Sequence, residues 1–317
     1  MGTMTFSSVF EAYNAVSNAE LELCWHNSSA FIAGQLSFVW LSQNALNRLY
    51  DHRQAGAADP DVPVPAQAPP APMSVRLDNV PIDLRADQIH AVQMGDINTP
   101  ILAIQAAFGT GKTVVGALIA ARLATADPEA IIVAMATTNG AVAQFTDTLL
   151  RLTDYRHLNV FRFVSDSALS DGCPQTAVDL HNILRRLPRD YRDQLSEAEF
   201  HTCQNYASCR QLVEIALFHP EQTMYLTEDQ REDYRIAERE NPEATEEAVE
   251  IMFRVRRPNI LCISSASLLN SAGSLGLFGP YSKDCSVIIG GEASQIPETS
   301  SGGHVFLVPQ CAADLYW

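Results

Sequence analysis

The stretch from Ile101 to Leu123 constrains this chain more than any other. An apolar run, Ile101-Leu-Ala-Ile104, leads into Gln105-Ala-Ala-Phe-Gly109-Thr-Gly111-Lys112-Thr113 and then into Val114-Val-Gly-Ala-Leu-Ile-Ala-Ala-Arg122-Leu. Strand, glycine loop and small-residue helix in that order are the setting a phosphate-binding loop requires. The glycines let successive backbone N–H groups curve around a polyphosphate, and the helix N-terminus adds a positive dipole end. On this reading Gly109, Thr110, Gly111, Lys112 and Thr113 bind a nucleotide. Lys112 reaches the β- and γ-phosphates, and the Thr113 hydroxyl binds Mg²⁺. The full pattern G-x-x-x-x-G-K-[ST] begins with glycine, whereas residue 106 is alanine. Composition sharpens the match: the chain has two lysines, Lys112 and Lys283, against nineteen arginines, and one of the two stands where the loop needs it.

At 317 residues, one large domain or two modest ones are expected. A hydrophobic content of 47% suffices for a real core. The net charge of −16 does not mark a nucleic-acid binder, but it is unevenly spread. Residues 221–250 hold eleven acids and three arginines, half of the total, and their acidic helices are a candidate docking surface for a protein partner. Arginines gather at Arg185, Arg186, Arg189 and Arg192, and again at Arg254, Arg256 and Arg257; solvated helix faces are the expectation for both groups. Seven cysteines without a C-x-x-C pair suit reduced thiols in an intracellular protein of the nucleus or cytoplasm. The apolar run Phe31–Leu41 is too short and interrupted to span a bilayer, and no basic segment precedes it, so neither a membrane span nor a signal peptide is expected.

Residues 1–54 read as a helical N-terminal segment. Residues 55–73 read as an Ala/Pro-rich linker, because six prolines between positions 60 and 72 forbid helix. From residue 74 onward the pattern is α/β. Leu84–Val92 reads as a helix, 101–106 as a strand, 112–125 as a helix and 130–135 as a strand, so a parallel, doubly wound sheet is predicted. Asn159–Val164 is a third strand candidate. Residues 175–256 read as a helical insert, with capping boxes at Ser196–Glu199 and Thr227–Gln230. Strands return at Asn259–Ile263 and Cys285–Ile289, and Ser271–Gly279 is a loop. His201, Cys203, Cys209 and His219 match no standard zinc spacing, and a structural role is expected for them.

The last of these strands runs into Ile288-Ile-Gly-Gly291-Glu292-Ala-Ser-Gln295. In P-loop NTPases a strand beside the P-loop strand ends in an acidic residue that holds Mg²⁺. With this second constellation the chain resembles the first RecA-like motor domain of superfamily 1 DNA/RNA helicases, in the branch of the nonsense-mediated decay helicase. Leu84–Val92 resembles the Q motif, which implies adenine recognition by Gln88. Ala106–Thr113 resembles motif I, usually GPPGTGKT. Ala136–Val142 resembles motif Ia, which implies contact of Thr138 and Asn139 with the backbone of single-stranded RNA or DNA. Gly291–Gln295 resembles motif II, usually DEASQ, which implies that Glu292 polarises the attacking water with Lys112 as its catalytic partner.

The resemblance covers about residues 75–300 and implies a RecA-like P-loop NTPase over 74–317 with ATP and Mg²⁺ as cofactors. Its departures limit the expected activity. The motif II aspartate corresponds to Gly291, which has no carboxylate for the metal. Loss of one charge-assisted contact, about 2–3 kcal/mol, would slow turnover roughly 30- to 150-fold. Motif III is not recognisable in Ser300–Trp317, and no second motor domain follows. Weak or absent hydrolysis and no unwinding by this chain alone are therefore expected. The other readings are a non-catalytic nucleotide-binding or interaction module, and a piece of a longer helicase.

Overall fold

A computed structural model describes residues 70–96, 101–104, 106, 109–219, 227–273, 276–291 and 313–316. The expected N-terminal helices, most of the linker, Glu292 and Gln295 lie outside these residues.

A short antiparallel hairpin comes first, β1 (Ser74–Leu77) and β2 (Val80–Asp83). Asp78 and Asn79 turn it with φ of 50° and 67°, the doubly left-handed geometry that Asp and Asn tolerate best among non-glycine residues. Helix α1 (Ala86–Gly95) follows, then β3 (Ile101–Ala103) and α2 (Lys112–Ala126). Next come β4 (Ile131–Ala136), α3 (Asn139–Arg151), β5 (Val160–Arg162) and the short α4 (Asp166–Ser170). Helices α5 (Leu180–Asp190), α6 (Glu197–Phe218) and α7 (Glu228–Arg256) precede β6 (Ile260–Ser264), α8 (Ser265–Ser271), β7 (Cys285–Gly290) and β8 (Ala313–Tyr316). The capping boxes at Ser196 and Thr227 open α6 and α7 as expected.

The main sheet is parallel throughout, in the order β3-β8-β7-β4-β6-β5. All six residues of β4 are buried, as a strand covered on both faces must be. Alternation along it sends Ile132, Ala134 and Ala136 into one core with α1, α2 and α3. It sends Ile131, Val133 and Met135 into a second core with α5, α6, α7 and α8. The architecture is therefore three layers, α/β/α.

The helical insert read at about 175–256 is present as α5, α6 and α7 between β5 and β6, and its Leu184, Leu187, Tyr206, Ala248 and Met252 cover one face of the sheet. Polarity disguised that packing, because each of these helices buries only a stripe and leaves its charges outward. The strand that ends at Gly290 is not beside β3, since β8 lies between them. With strands about 4.8 Å apart, Gly291 therefore starts about 10 Å from β3.

Close packing sets the position of α1 on α2. Ala117, Ile119, Ala120 and Ala121 of α2 are fully buried, and small side chains allow near approach. At Gly95 a Cβ would lie 2.7 Å from Ile119 Cγ2, so glycine is what lets the end of α1 rest on α2. Among the described residues no helix is long and apolar enough to cross a membrane.

Candidate nucleotide-binding site

The glycine loop leaves the C-terminal end of β3, the edge at which open α/β sheets bind ligands. Gly109 and Gly111 have φ of 73° and 83°, in the left-handed region where a side chain is strained. Gly111 is the N-cap of α2, so Lys112 is the first residue of that helix and Thr113 the second. The Lys112 ammonium donates to the Ala106 carbonyl at 3.2 Å. The helix N-terminus, with its positive dipole end, and the lysine thus meet at one loop.

Gln88 connects this loop to α1. Its Oε1 accepts from the Arg85 N–H at 2.9 Å and so caps the start of α1 from the N3 position, the half of a capping box that an arginine N-cap permits. Its Nε2 donates to the Thr110 carbonyl at 2.8 Å. A Cβ at Gly111 would stand 2.9 Å from that same nitrogen. Gln88 therefore braces the loop, and among the described residues its amide keeps one lone pair and one N–H for a base edge. The niche bounded by Asp87, Gln88, Ala91, Ile104, Ala106 and Lys112 measures about 90 Å³. That is well below the roughly 300 Å³ at which whole-ligand pockets begin, so it holds part of a ligand at most.

Thr138 and Asn139 follow β4, three strands further along the same edge. Thr138 caps α3 by accepting from the Ala141 N–H at 3.2 Å, and Asn139 opens the helix. Below them Arg162 is completely buried. Its Nη1 donates to Asp179 Oδ1 at 3.1 Å and to the Pro174 carbonyl at 2.7 Å. Its Nη2 donates to the Asn139 carbonyl at 3.2 Å and to Cys173 Sγ at 3.1 Å. Arg162 thereby ties the start of α3 to the segment that leads into α5. Sequence reading missed this residue, although an arginine inside the apolar run Val160–Val164 was a visible signal. It also missed Ser264, which pairs in register with Ala136 and caps α8 through the Ser267 N–H. A serine pair straight after Ile260–Ile263 was the available hint.

Gly291 donates its N–H to the Met135 carbonyl at 2.8 Å, extending the β7–β4 ladder by one residue. Glu292 lies outside the described residues. The groups present fit a polyphosphate better than its metal: glycine N–H groups and Lys112 surround the loop, and Thr113 brings one hydroxyl, but Gly291 brings no carboxylate. Among the described residues no group of three or more His, Cys, Asp or Glu side chains comes together as a metal site. Cys203 and Cys209 are buried in α6. Burial pushes the Cys203 thiol up to about 11 and the Cys262 and Cys285 thiols up to about 12, which keeps all three protonated and poorly nucleophilic at neutral pH.

The arginine groups are largely engaged within the protein. Arg185 pairs with Glu214, Arg192 with Glu197, and Arg254 with Glu199 at 2.6 Å. Arg256 donates to the Val160 carbonyl at 2.9 Å. The expectation of solvated faces holds for their exposed members, but no continuous basic groove follows from them. On α7, Ala237, Ala244 and Ala248 are buried while Glu243, Glu246, Glu247 and Glu250 face solvent.

Comparison of the chain with protein-family models gives no match, and comparison with curated proteins gives none.

Proposed function

We propose that this chain carries an ATP-binding, RecA-like P-loop domain of the kind found as the first motor domain of superfamily 1 RNA/DNA helicases, with weak or no ATP hydrolysis. The observation that carries this reading is the left-handed pair Gly109 and Gly111 at the mouth of α2, with Lys112 as the first residue of that helix. A loop that turns through left-handed glycines can present backbone N–H groups to an anion, and a helix dipole adds to that pull. Gln88 supports the same reading, because it links the loop to a helix that can border an adenine ring. The parallel sheet, with Thr138, Asn139 and Ser264 sharing its C-terminal edge, supports contact with a single strand through neutral hydrogen-bonding groups. Gly291 favours a second reading, a nucleotide-binding module that does not turn over.

The test is equilibrium binding of a fluorescent ATP analogue, with and without Mg²⁺, to wild type and Lys112→Ala. Wild type binds, and Lys112→Ala binds at least about tenfold more weakly, for loss of one charge-assisted contact. No binding by wild type refutes both readings. Binding that single-stranded RNA or DNA strengthens supports the motor-domain reading over the second.

A further inference from the structure

A cleft of about 370 Å³ lies at the edge of the sheet opposite the glycine loop, where Asn159 leads into β5 and α7 ends just before β6. Its walls are Asn159, Ile183, Arg186, Asp190, Tyr191 and Arg256. The two arginines come from different helices, and both guanidiniums are already held in place. Arg186 Nε donates to the Asn182 carbonyl and its Nη2 to the Ala177 carbonyl, each at 3.1 Å. Arg256 Nη2 donates to the Val160 carbonyl at 2.9 Å. Asn159 Nδ2 donates to the Arg256 carbonyl at 2.6 Å and fixes that backbone as well. All of these acceptors are neutral. The other arginines of the two groups, Arg185, Arg189, Arg192, Arg254 and Arg257, each pair with a carboxylate. Among the described residues, Arg186 and Arg256 do not.

Their remaining donors reach solvent. Arg256 Nε and Nη1 have no partner among the described residues, and neither is one of the unpartnered atoms sealed from water. Arg186 is exposed and keeps its Nη1. Burial chiefly, and Arg186 beside it, lower the Arg256 guanidinium from its ordinary value, against the opposing pull of Tyr191 and Asp190. A half-buried cation next to another cation calls for a counter-charge. Asp190 does not supply it alone, because its carboxylate accepts from Arg189 Nε at 2.8 Å. Glu129 likewise answers Arg257 at 3.4 Å. The C-terminal ends of α5 and α7 bring about half a negative charge each, so the two guanidiniums leave about one positive charge over. A planar carboxylate is matched by one guanidinium fork, whereas a tetrahedral oxyanion takes donors from two directions, which Arg186 and Arg256 provide. The volume, at the lower end for ligand pockets, leaves room beside Ile183 and Tyr191 for an organic part.

We propose that this cleft binds a phosphoryl group, as free phosphate or as a small phosphate ester, between the guanidiniums of Arg186 and Arg256. Binding needs little ordering, because both side chains are tied to main-chain carbonyls beforehand. The site stands apart from the nucleotide reading of the glycine loop, which leaves the other edge of the sheet.

Inorganic phosphate and phenyl phosphate serve as probes, titrated calorimetrically at low salt into the Lys112→Ala protein, in which the glycine loop is disabled. Acetate is the planar control. Phosphate binds, and acetate binds at least about tenfold more weakly, for loss of one charge-assisted contact. Adding Arg186→Gln keeps the helical spectrum and melting temperature, because this exposed side chain bonds only two carbonyls. It weakens both phosphate probes at least about tenfold, and Arg256→Gln does the same from the other wall. If the source is an ester, phenyl phosphate binds more tightly than inorganic phosphate; if it is the free ion, inorganic phosphate binds at least as tightly. No binding of either probe, acetate binding as tightly as phosphate, or an affinity that Arg186→Gln leaves unchanged overturns the proposal. Since every titration is made in Lys112→Ala, none of these results bears on ATP binding at the glycine loop.

Discussion

Removing the Arg162 side chain tests the structure where it commits most electrostatic energy to one place. Arg162 and Asp179 are both completely buried and 3.1 Å apart. Arg162→Met leaves Asp179 with the Thr176 N–H at 2.9 Å and the Thr176 hydroxyl at 2.5 Å, but without its cation. Breaking one side of a buried pair costs about 3–5 kcal/mol. Part of this is offset, because the buried Arg162 Nε has no partner among the described residues and the substitution removes that orphan, worth about 1 kcal/mol. The net expectation is a loss of about 2–4 kcal/mol, a large share of the roughly 5–15 kcal/mol that holds a domain folded. With a urea m-value of about 3 kcal/mol per molar, the midpoint falls by roughly 0.7–1.3 M.

The assay is urea unfolding followed by circular dichroism at neutral pH, on wild type, Arg162→Met, Asp179→Leu and the double variant. Replacing both partners removes both buried charges. The double variant is therefore expected to be more stable than the sum of the singles implies, by at least about 2 kcal/mol. It stays below wild type, because the Thr176 N–H and the Pro174 and Asn139 carbonyls lose their partners. A loss under about 1 kcal/mol in Arg162→Met, or strict additivity in the double, would refute a charged, desolvated pair at this position.

Three further outcomes are expected. Gly111→Ala strains a left-handed backbone and presses on Gln88 Nε2, at a cost of about 2 kcal/mol. ATP-analogue affinity should fall roughly thirtyfold with the secondary structure intact, and unchanged affinity would remove the loop from the site. Gly291→Asp supplies a carboxylate at the end of β7, so Mg²⁺-dependent ATPase should rise roughly 30- to 150-fold, and a flat rate would show that the metal anchor is not what limits turnover. His181 is held below its ordinary value of 6.5, chiefly by burial and then by Arg210, against the opposing pull of Asp179, Glu214 and Asp166. The unfolded chain therefore binds the proton first as pH falls, and stability present above 6.5 declines below it. His181→Gln should flatten this slope in unfolding curves between neutral and mildly acidic pH; an unaltered slope would assign the acid sensitivity elsewhere.

Local pattern carried much of the architecture. Apolar runs at 130–135, Asn259–Ile263 and Cys285–Ile289 read as strands, within one residue of Ile131–Ala136, Ile260–Ser264 and Cys285–Gly290 at each end, because a strand covered on both faces is apolar throughout. The glycine loop was legible because its backbone conformation needs glycine at 109 and 111. The capping boxes at Ser196 and Thr227 were legible because N-cap and N3 residues interact across one turn. The hairpin at Asp78–Asn79 was not seen, since two short strands ending in an aspartate–asparagine turn offer little periodicity. The role of Arg162 was equally hidden. Its partners Cys173, Pro174 and Asp179 lie eleven to seventeen residues away, and Asn139 lies twenty-three residues away, so no local rule connects them.

What the sequence determined by itself was the set of local conformations: where glycine is required, where a helix must start, and which segments are apolar enough to be strands. These depend on neighbours within a few residues. The tertiary structure alone decided how those segments share space. It inserted β8 between β3 and β7, which carries Gly291 about 10 Å from β3. It laid the polar helices α5 to α7 over one face of the sheet and closed Gln88 onto Thr110. Strand order and the pairing of buried polar groups are settled by contacts between residues far apart in the chain, where packing and desolvation outweigh any local preference.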